Sequence, residues 1–269
     1  MKKILLPTDF SDSARKACEY AINLFGDEPV NFVLVNSYIV PASTSEMLIS
    51  ISDVLRQNSI ENLLTERNFL AALYPSKSKQ LEYISTNGYL DTCLHELTKQ
   101  HDVQLIVMGT TGASGLKKFF MGSNAAKVLR NVKCPIITVP HTIEVKTPTN
   151  ICLALDDNFT PSNEVLEPLT EVVRISNANL KPVHIDVNES ATAASSANNF
   201  EHEVLGHEVQ NVHSENVMEG LQAFNTENQI DLLTMIHHKR SFLRGLFDGG
   251  NSSEMAMLSN IPLLVLHDK

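Results

Sequence analysis

Short apolar runs alternate with longer amphipathic stretches along this chain, and the alternation occurs twice. The run KKILLP (2–7) is too short for a helix and is followed by Thr-Asp. SDSARKACEYAINLF (11–25) then places Ala14, Ala17, Cys18, Ala21, Ile22 and Phe25 at helical spacing, with Ser11 as the expected N-cap. VNFVLVNSYIV (30–40) is β-branched and strand-like, and a polar, helix-prone region fills 41–79. LEYIST (81–86) predicts a strand, DTCLHELTKQ (91–100) a helix and QLIVMG (104–109) a buried strand. SNAAKVLRNV (123–132) predicts a helix and PIITVP (135–140) a final strand. Strand alternating with helix implies a parallel sheet covered on both faces. Five strands with right-handed crossovers make a doubly wound, Rossmann-like α/β layer, whose ligands bind beyond the carboxyl ends of the strands.

The pattern is a tandem repeat. Residues 104–140 lie on residues 231–267 at an offset of 127 without a gap. Leu105 meets Leu232, Met108 meets Met235, Phe120 meets Phe247, Gly122 meets Gly249 and Pro135 meets Pro262. The two beginnings also match, with Phe10-Ser11-Asp12-Ser13 on Phe159-Thr160-Pro161-Ser162 at an offset of 149. The difference places extra residues in the middle of the first copy, in 41–79. The join is PHTIEVKTPTN (140–150), so the expected domains are 1–142 and 149–269.

Composition narrows the function. The chain has 269 residues, 43% hydrophobic and 19% charged, with a formal net charge of -10. An acidic chain is poorly suited to nonspecific binding of nucleic acid or anionic membranes. No apolar run approaches a membrane span, and the opening MKKILLPTDF has no signal-peptide core. Cys18, Cys93, Cys134 and Cys152 are scattered without a CxxC, and are expected to be reduced, mostly buried thiols of a cytoplasmic protein.

Two features fall at the ligand-binding edge. Pro7, Thr8 and Asp9 follow the first strand, and a glycine-rich stretch, GTTGASGLKKFFMGSN (109–124), follows the fourth. Gly109 permits close approach of another group, and Gly112 permits a turn with positive φ. Gly122-Ser123 opens the next helix, where free N–H groups and the helix dipole favour an anion. Asp9 would repel phosphates, so base and ribose belong near Asp9 and phosphates near Gly122. The bland alternatives are a mobile loop at 109–123, Asp9 as a helix cap, and Lys117 and Lys118 as solvated lysines. Of the ten histidines, seven lie in the second half. His202, His207, His237 and His238 have no metal-ligand spacing with a cysteine or carboxylate, so structural roles are favoured and no metal is expected.

The spacing Gly109-x2-Gly112-x9-Gly122-Ser123 resembles the ATP-binding loop of the universal stress protein family. LLPTDFSDSA and CPIITVP are similar to that family's first strand and turn and to its last strand. The resemblance covers nearly the whole chain as two copies, strong in the first and weak in the second. It implies that Pro7, Thr8 and Asp9 line adenine and ribose, and that backbone around Val35 and Asn36 meets the adenine edge. It implies that Met108 and Gly109 flank ribose and phosphates. Thr111, Gly112, Gly122, Ser123 and Asn124 would then hold the triphosphate, with Mg or Mn bound through the phosphates. Asn124-Ala125 departs from the family where a hydroxyl is common. The second copy has Ile236 for Gly109 and Lys239 for Gly112, so it is not expected to bind ATP in the same manner. Because it closes the connection without those glycines, the chain path does not explain Gly109, and phosphate approach does.

Residues 110–125 contain no Asp, Glu or His. With no general base there, the expected function is ATP binding in a stress or regulatory module, with slow hydrolysis at most. Alternatives are a nucleotide-free interaction scaffold and, less favoured, an adenylating or ATP-cleaving enzyme of related architecture. The expected assembly is a homodimer, with the two copies pairing as an internal pseudo-dimer through their apolar final strands and a protein partner reading the nucleotide state.

Overall fold

The computed structural model of the chain describes residues 2–26, 28–41, 47–100, 102–110, 122–156, 159–187, 203–238 and 260–268. They form two compact units, Met1–Lys146 and Thr147–Lys269.

The first unit is a five-stranded parallel sheet. Its strands are β1 (Lys2–Pro7), β2 (Val30–Tyr38), β3 (Leu81–Asn87), β4 (Val103–Gly109) and β5 (Ile136–Val139), in the order β3-β2-β1-β4-β5. Ile4, Leu5 and Leu6 are buried in succession, because helices cover both faces of β1. The helices are α1 (Asp12–Leu24), α2 (Met47–Leu73), α3 (Leu90–Gln100) and α4 (Ser123–Asn131). α1 is capped by Ser11, whose Oγ accepts from Ala14 N at 3.2 Å. α1 packs on β4 and α2 on β2 and β3, while α3 packs on α4. The inward stripe of α2 is Ser59, Leu63, Glu66 and Leu70, which puts two polar residues among the apolar ones. Glu66 is held by Arg15 of α1, with Nε to Oε1 at 2.9 Å and Nη2 to Oε2 at 2.7 Å.

β1 pairs with β2 on one side and β4 on the other. Successive connections therefore run outward in opposite directions from β1. This is the reversal of strand order at which an open α/β sheet leaves a crevice.

The second unit repeats the sheet with β6 (Asn150–Leu155), β7 (Asn179–Asp186), β10 (Gln210–His213), β11 (Leu232–His237) and β12 (Leu263–His267), in the order β10-β7-β6-β11-β12. Its described helices are α5 (Asn163–Ser176) and α6 (Val217–Glu227). Between β7 and β10 stands a short antiparallel pair, β8 (Glu203–Val204) with β9 (His207–Glu208). No helix like α2 is found there among the described residues.

Strand registers confirm the offset of 127: Ile106 pairs with Ile136 as Leu233 pairs with Leu263. The offset of 149 at the beginnings is corrected. Ile4 faces Leu105 as Ile151 faces Leu232. The capping serines are Ser11 and Ser162, each accepting from the N–H three residues on. Ile4 precedes its cap by seven residues and Ile151 by eleven, so the second unit has a turn four residues longer.

All four cysteines are free and buried, as expected. Burial pushes the Cys134 thiol up to about 12, and pushes Cys18 and Cys152 further in the same direction.

Candidate functional site

At the reversal point of the first unit lies a cavity of about 310 Å³. Pro7, Thr8 and Asp9 wall it from the turn after β1. Asn36 and Ser37 contribute from β2, and Met108, Gly109 and Thr110 from the end of β4. Gly122, Ser123, Asn124 and Ala125 close it from the start of α4, and Leu90 and Ala14 complete the wall. The volume is in the range that accommodates small-molecule ligands.

The turn after β1 is built by its own side chains. Thr8 N donates to Val35 O at 2.8 Å, and Phe10 N donates to Thr8 Oγ1 at 2.9 Å. Asp9 Oδ1 accepts from Ser11 N at 3.1 Å and from Ser11 Oγ. These bonds hold Phe10 at φ 64°, an uncommon conformation for a bulky side chain. The first helix is thus capped by Ser11, while Asp9 positions that serine and stays exposed at the rim of the cavity.

At the end of β4, Gly109 has a steric reason that the sequence did not reveal. A Cβ there would meet Ser13 Oγ at 2.5 Å and Ser13 C and O at 2.9 Å. The first turn of α1 lies directly on β4, so the chain path does demand this glycine. Ile236 is tolerated in the second unit because α5 starts after a longer turn and packs on β12.

Thr110 N donates to Val139 O at 3.1 Å, and Gly122 N donates to Thr110 O at 2.6 Å. The two ends of the glycine-rich stretch are therefore tied together. Thr111, Gly112, Lys117 and Lys118 lie outside the described residues. Gly122 is the N-cap of α4 at φ −61° and ψ 152°, with no side-chain cap. Any residue adopts those angles, so the glycine is notable for leaving the wall bare. The first helical bond is Ala126 N to Gly122 O. Helix geometry leaves the N–H groups of Ser123, Asn124 and Ala125 without an intrahelical acceptor, and no carboxylate lies in this first turn.

On β2, Val35 is fully buried and its carbonyl accepts from Thr8, so Asn36 and Ser37 form the wall instead. In a parallel sheet alternate residues address opposite neighbours. Thr8 N reaches Val35 O, and Gly88 N reaches Tyr38 O at 2.8 Å. Val35 therefore addresses β1 and Tyr38 addresses β3, which leaves Ser37 addressing the β1 side. The β1–β2 pairing ends at Pro7↔Val35. Ser37 consequently presents a backbone donor and acceptor to the cavity beyond the end of β1. Asn36 Nδ2 donates to Thr8 O at 2.7 Å, while its Oδ1 accepts from Ser59 Oγ at 2.7 Å. Ser85 Oγ donates to Ser59 Oγ at 2.8 Å. Sequence reading missed Ser37, Ser59 and Ser85. The available signal for Ser59 was its place on the apolar stripe of a long helix.

Among the described residues, the ends of β6 and β7 and the start of α6 line a cavity of about 30 Å³, room for little more than water. Asp156 stands in the place of Asp9. Its Oδ2 lies 2.9 Å from His238 Nε2, and His238 stacks on Phe159 with centroids 4.1 Å apart. Among the described residues no group of three His, Cys, Asp or Glu could hold a metal ion.

Residues 1–140 match the sequence model of the Universal stress protein family. A universal stress protein of Methanocaldococcus jannaschii is 34% identical over 51% of this chain and 81% of its own length. One from Synechocystis is 24% identical and aligns over 98% of this chain and 99% of its own. The crystal structure of a universal stress protein from Archaeoglobus fulgidus superposes with a TM-score of 0.66 at 20% identity, covering 98% of this chain and 95% of that one. That likeness spans both units and shows the two-domain fold.

Proposed function

This chain belongs to the universal stress protein family, and we propose that its first unit binds ATP as a regulatory ligand, one molecule per chain. The observation that carries the reading is one cavity walled at one end by Asp9 and Ser37 and at the other by the uncapped first turn of α4. Each end suits a different part of the nucleotide. The N–H groups of α4 and the Ser123 hydroxyl suit phosphate oxygens, with Mg or Mn held through the phosphates rather than by protein ligands. The Asp9 carboxylate suits the ribose hydroxyls. Ser37 offers an N–H and a C=O side by side, which match the N1 acceptor and N6 donor of adenine. Guanine reverses both groups, so adenine is preferred.

Binding rather than turnover is the function. The stretch 110–125 supplies no general base, so hydrolysis is slow. The nucleotide stabilises one arrangement of the glycine-rich stretch, and a protein partner reads it. No described helix is long and apolar enough to cross a membrane, and the four free thiols suit a reducing cytoplasm. The second unit acts as scaffold, a reading favoured by the small cavity at its strand ends and by the contact of His238 with Asp156. ATP copurifying with the gently isolated protein supports the assignment, and failure of added ATP to bind refutes it.

A further inference from the structure

We propose that Asn36 is a positioning residue that holds the Ser37 edge open for the base, and that Ser59 and Ser85 hold Asn36 in that role; the link to the base rests on the nucleotide reading above. The β1–β2 ladder stops at Pro7↔Val35. Its next step, Thr8 opposite Asn36, would bring Ser37 N–H onto Thr8 O. That carbonyl instead accepts from Asn36 Nδ2 at 2.7 Å. The side chain thus engages the acceptor that the strand would otherwise use to close its own edge.

The orientation follows from donors and acceptors alone. A carbonyl only accepts, so the amide nitrogen of Asn36 must face Thr8 O. Oδ1 then points the other way and accepts from Ser59 Oγ at 2.7 Å. With its proton so engaged, Ser59 Oγ accepts in turn from Ser85 Oγ at 2.8 Å. One directional chain therefore runs from β3 through α2 and β2 to the carbonyl of Thr8, just beyond β1. Ser59 is buried on the inward stripe of α2, so a shift of that helix reaches the base edge through one side chain.

The second unit holds the closed alternative. Its ladder continues one pair further, to Leu155↔His184, where Leu155 stands for Thr8 and His184 for Asn36. Ser214 N donates to Asp186 O, so Asp186 addresses β10 and Ile185 addresses β6. Ile185 N–H, the counterpart of Ser37 N–H, is thereby engaged by Leu155 O. His184 Nδ1 lies 3.3 Å from that carbonyl, a longer contact than the one Asn36 makes. Where the side-chain contact is long, the ladder closes and the cavity is about 30 Å³.

The test is amide hydrogen exchange on the full, ligand-free chain, followed by binding of ATP and of tripolyphosphate. In the wild type the Ser37 amide should exchange faster than that of Val35. Asn36→Ala should slow it at least about tenfold as the ladder closes on Thr8 O. Ser59→Ala, which leaves both strands intact, should slow it in the same direction, and Ser59→Thr should restore wild-type exchange. ATP affinity should fall about tenfold in Asn36→Ala while tripolyphosphate affinity stays unchanged. A Ser37 amide already as protected as Val35, or one unmoved by Asn36→Ala and Ser59→Ala, overturns the positioning role. A wild type that shows these exchange rates but binds no ATP keeps that role and overturns the nucleotide reading.

Discussion

Gly109 and Ser13 are in backbone contact, so that a Cβ on Gly109 would lie 2.9 Å from both the carbonyl carbon and the oxygen of Ser13. The contact sets the first turn of α1 against the end of β4 and so fixes the floor of the cavity. Gly109→Ala should therefore cost about 1–3 kcal/mol in urea unfolding, as overpacking does. Adding Ser13→Ala should not restore it, because two of the three crowding atoms are backbone. A Gly109→Ala protein of wild-type stability contradicts the packing.

Arg15 and Glu66 tie α1 to α2 with a bidentate pair in which the Glu66 side chain is 3% exposed. The guanidinium is the more exposed partner. Arg15→Met should leave a buried carboxylate unpaired and cost about 3 kcal/mol. Arg15→Met with Glu66→Met should recover most of that loss. A double-mutant cycle measures the difference, and simple additivity of the two single losses contradicts a coupled pair.

Buried thiols predict an alkaline limit to stability. Cys134 rises by burial from an ordinary 9.0 to about 12 in the folded chain, and Cys18 and Cys152 shift the same way. A folded value above the unfolded one gives stability that is complete below pH 9 and is lost as pH rises from there toward 12. Thermal midpoints should hold from neutral pH to about 9 and fall beyond it. Thiol reagents at pH 8 should react at least about a hundredfold more slowly with native than with denatured protein.

Much of the site was legible in the sequence because its signals are local. Pro-Thr-Asp after a short apolar run, and Gly-Ser before a helical one, mark the ends of β1 and the start of α4 without reference to anything distant. The structure adds what depends on pairing. Ser37 rather than Val35 meets the cavity because strand parity, set by Thr8 N on Val35 O, decides which way each residue of β2 points. Arg15 and Glu66 stand 51 residues apart, and nothing local links them. The packing demand on Gly109 was hidden because its crowding neighbour, Ser13, belongs to another element. The longer turn of the second unit was masked because Phe and Ser recur there at shifted positions.

Stoichiometry separates the two units. Asp156 is engaged by His238, which stacks on Phe159, and the cavity that Asp156 lines with Leu155 and His184 is about 30 Å³. Equilibrium dialysis with excess ATP should therefore saturate at one nucleotide per chain. Saturation at two would mean that the second unit opens to the same ligand.

Gly122 tests the site most sharply, because its φ of −61° and ψ of 152° accept any side chain while its position leaves the α4 end of the cavity bare. Valine there should cost the helix about 1 kcal/mol as a poorer cap and still leave a folded chain. Calorimetric titration of Mg-ATP into the wild type and Gly122→Val is the decisive measurement. The wild type should bind one equivalent, and folded Gly122→Val should lose at least about a hundredfold in affinity by filling the cradle. No binding by the wild type, or equal affinity in Gly122→Val, would contradict an ATP site at the carboxyl edge of the first unit.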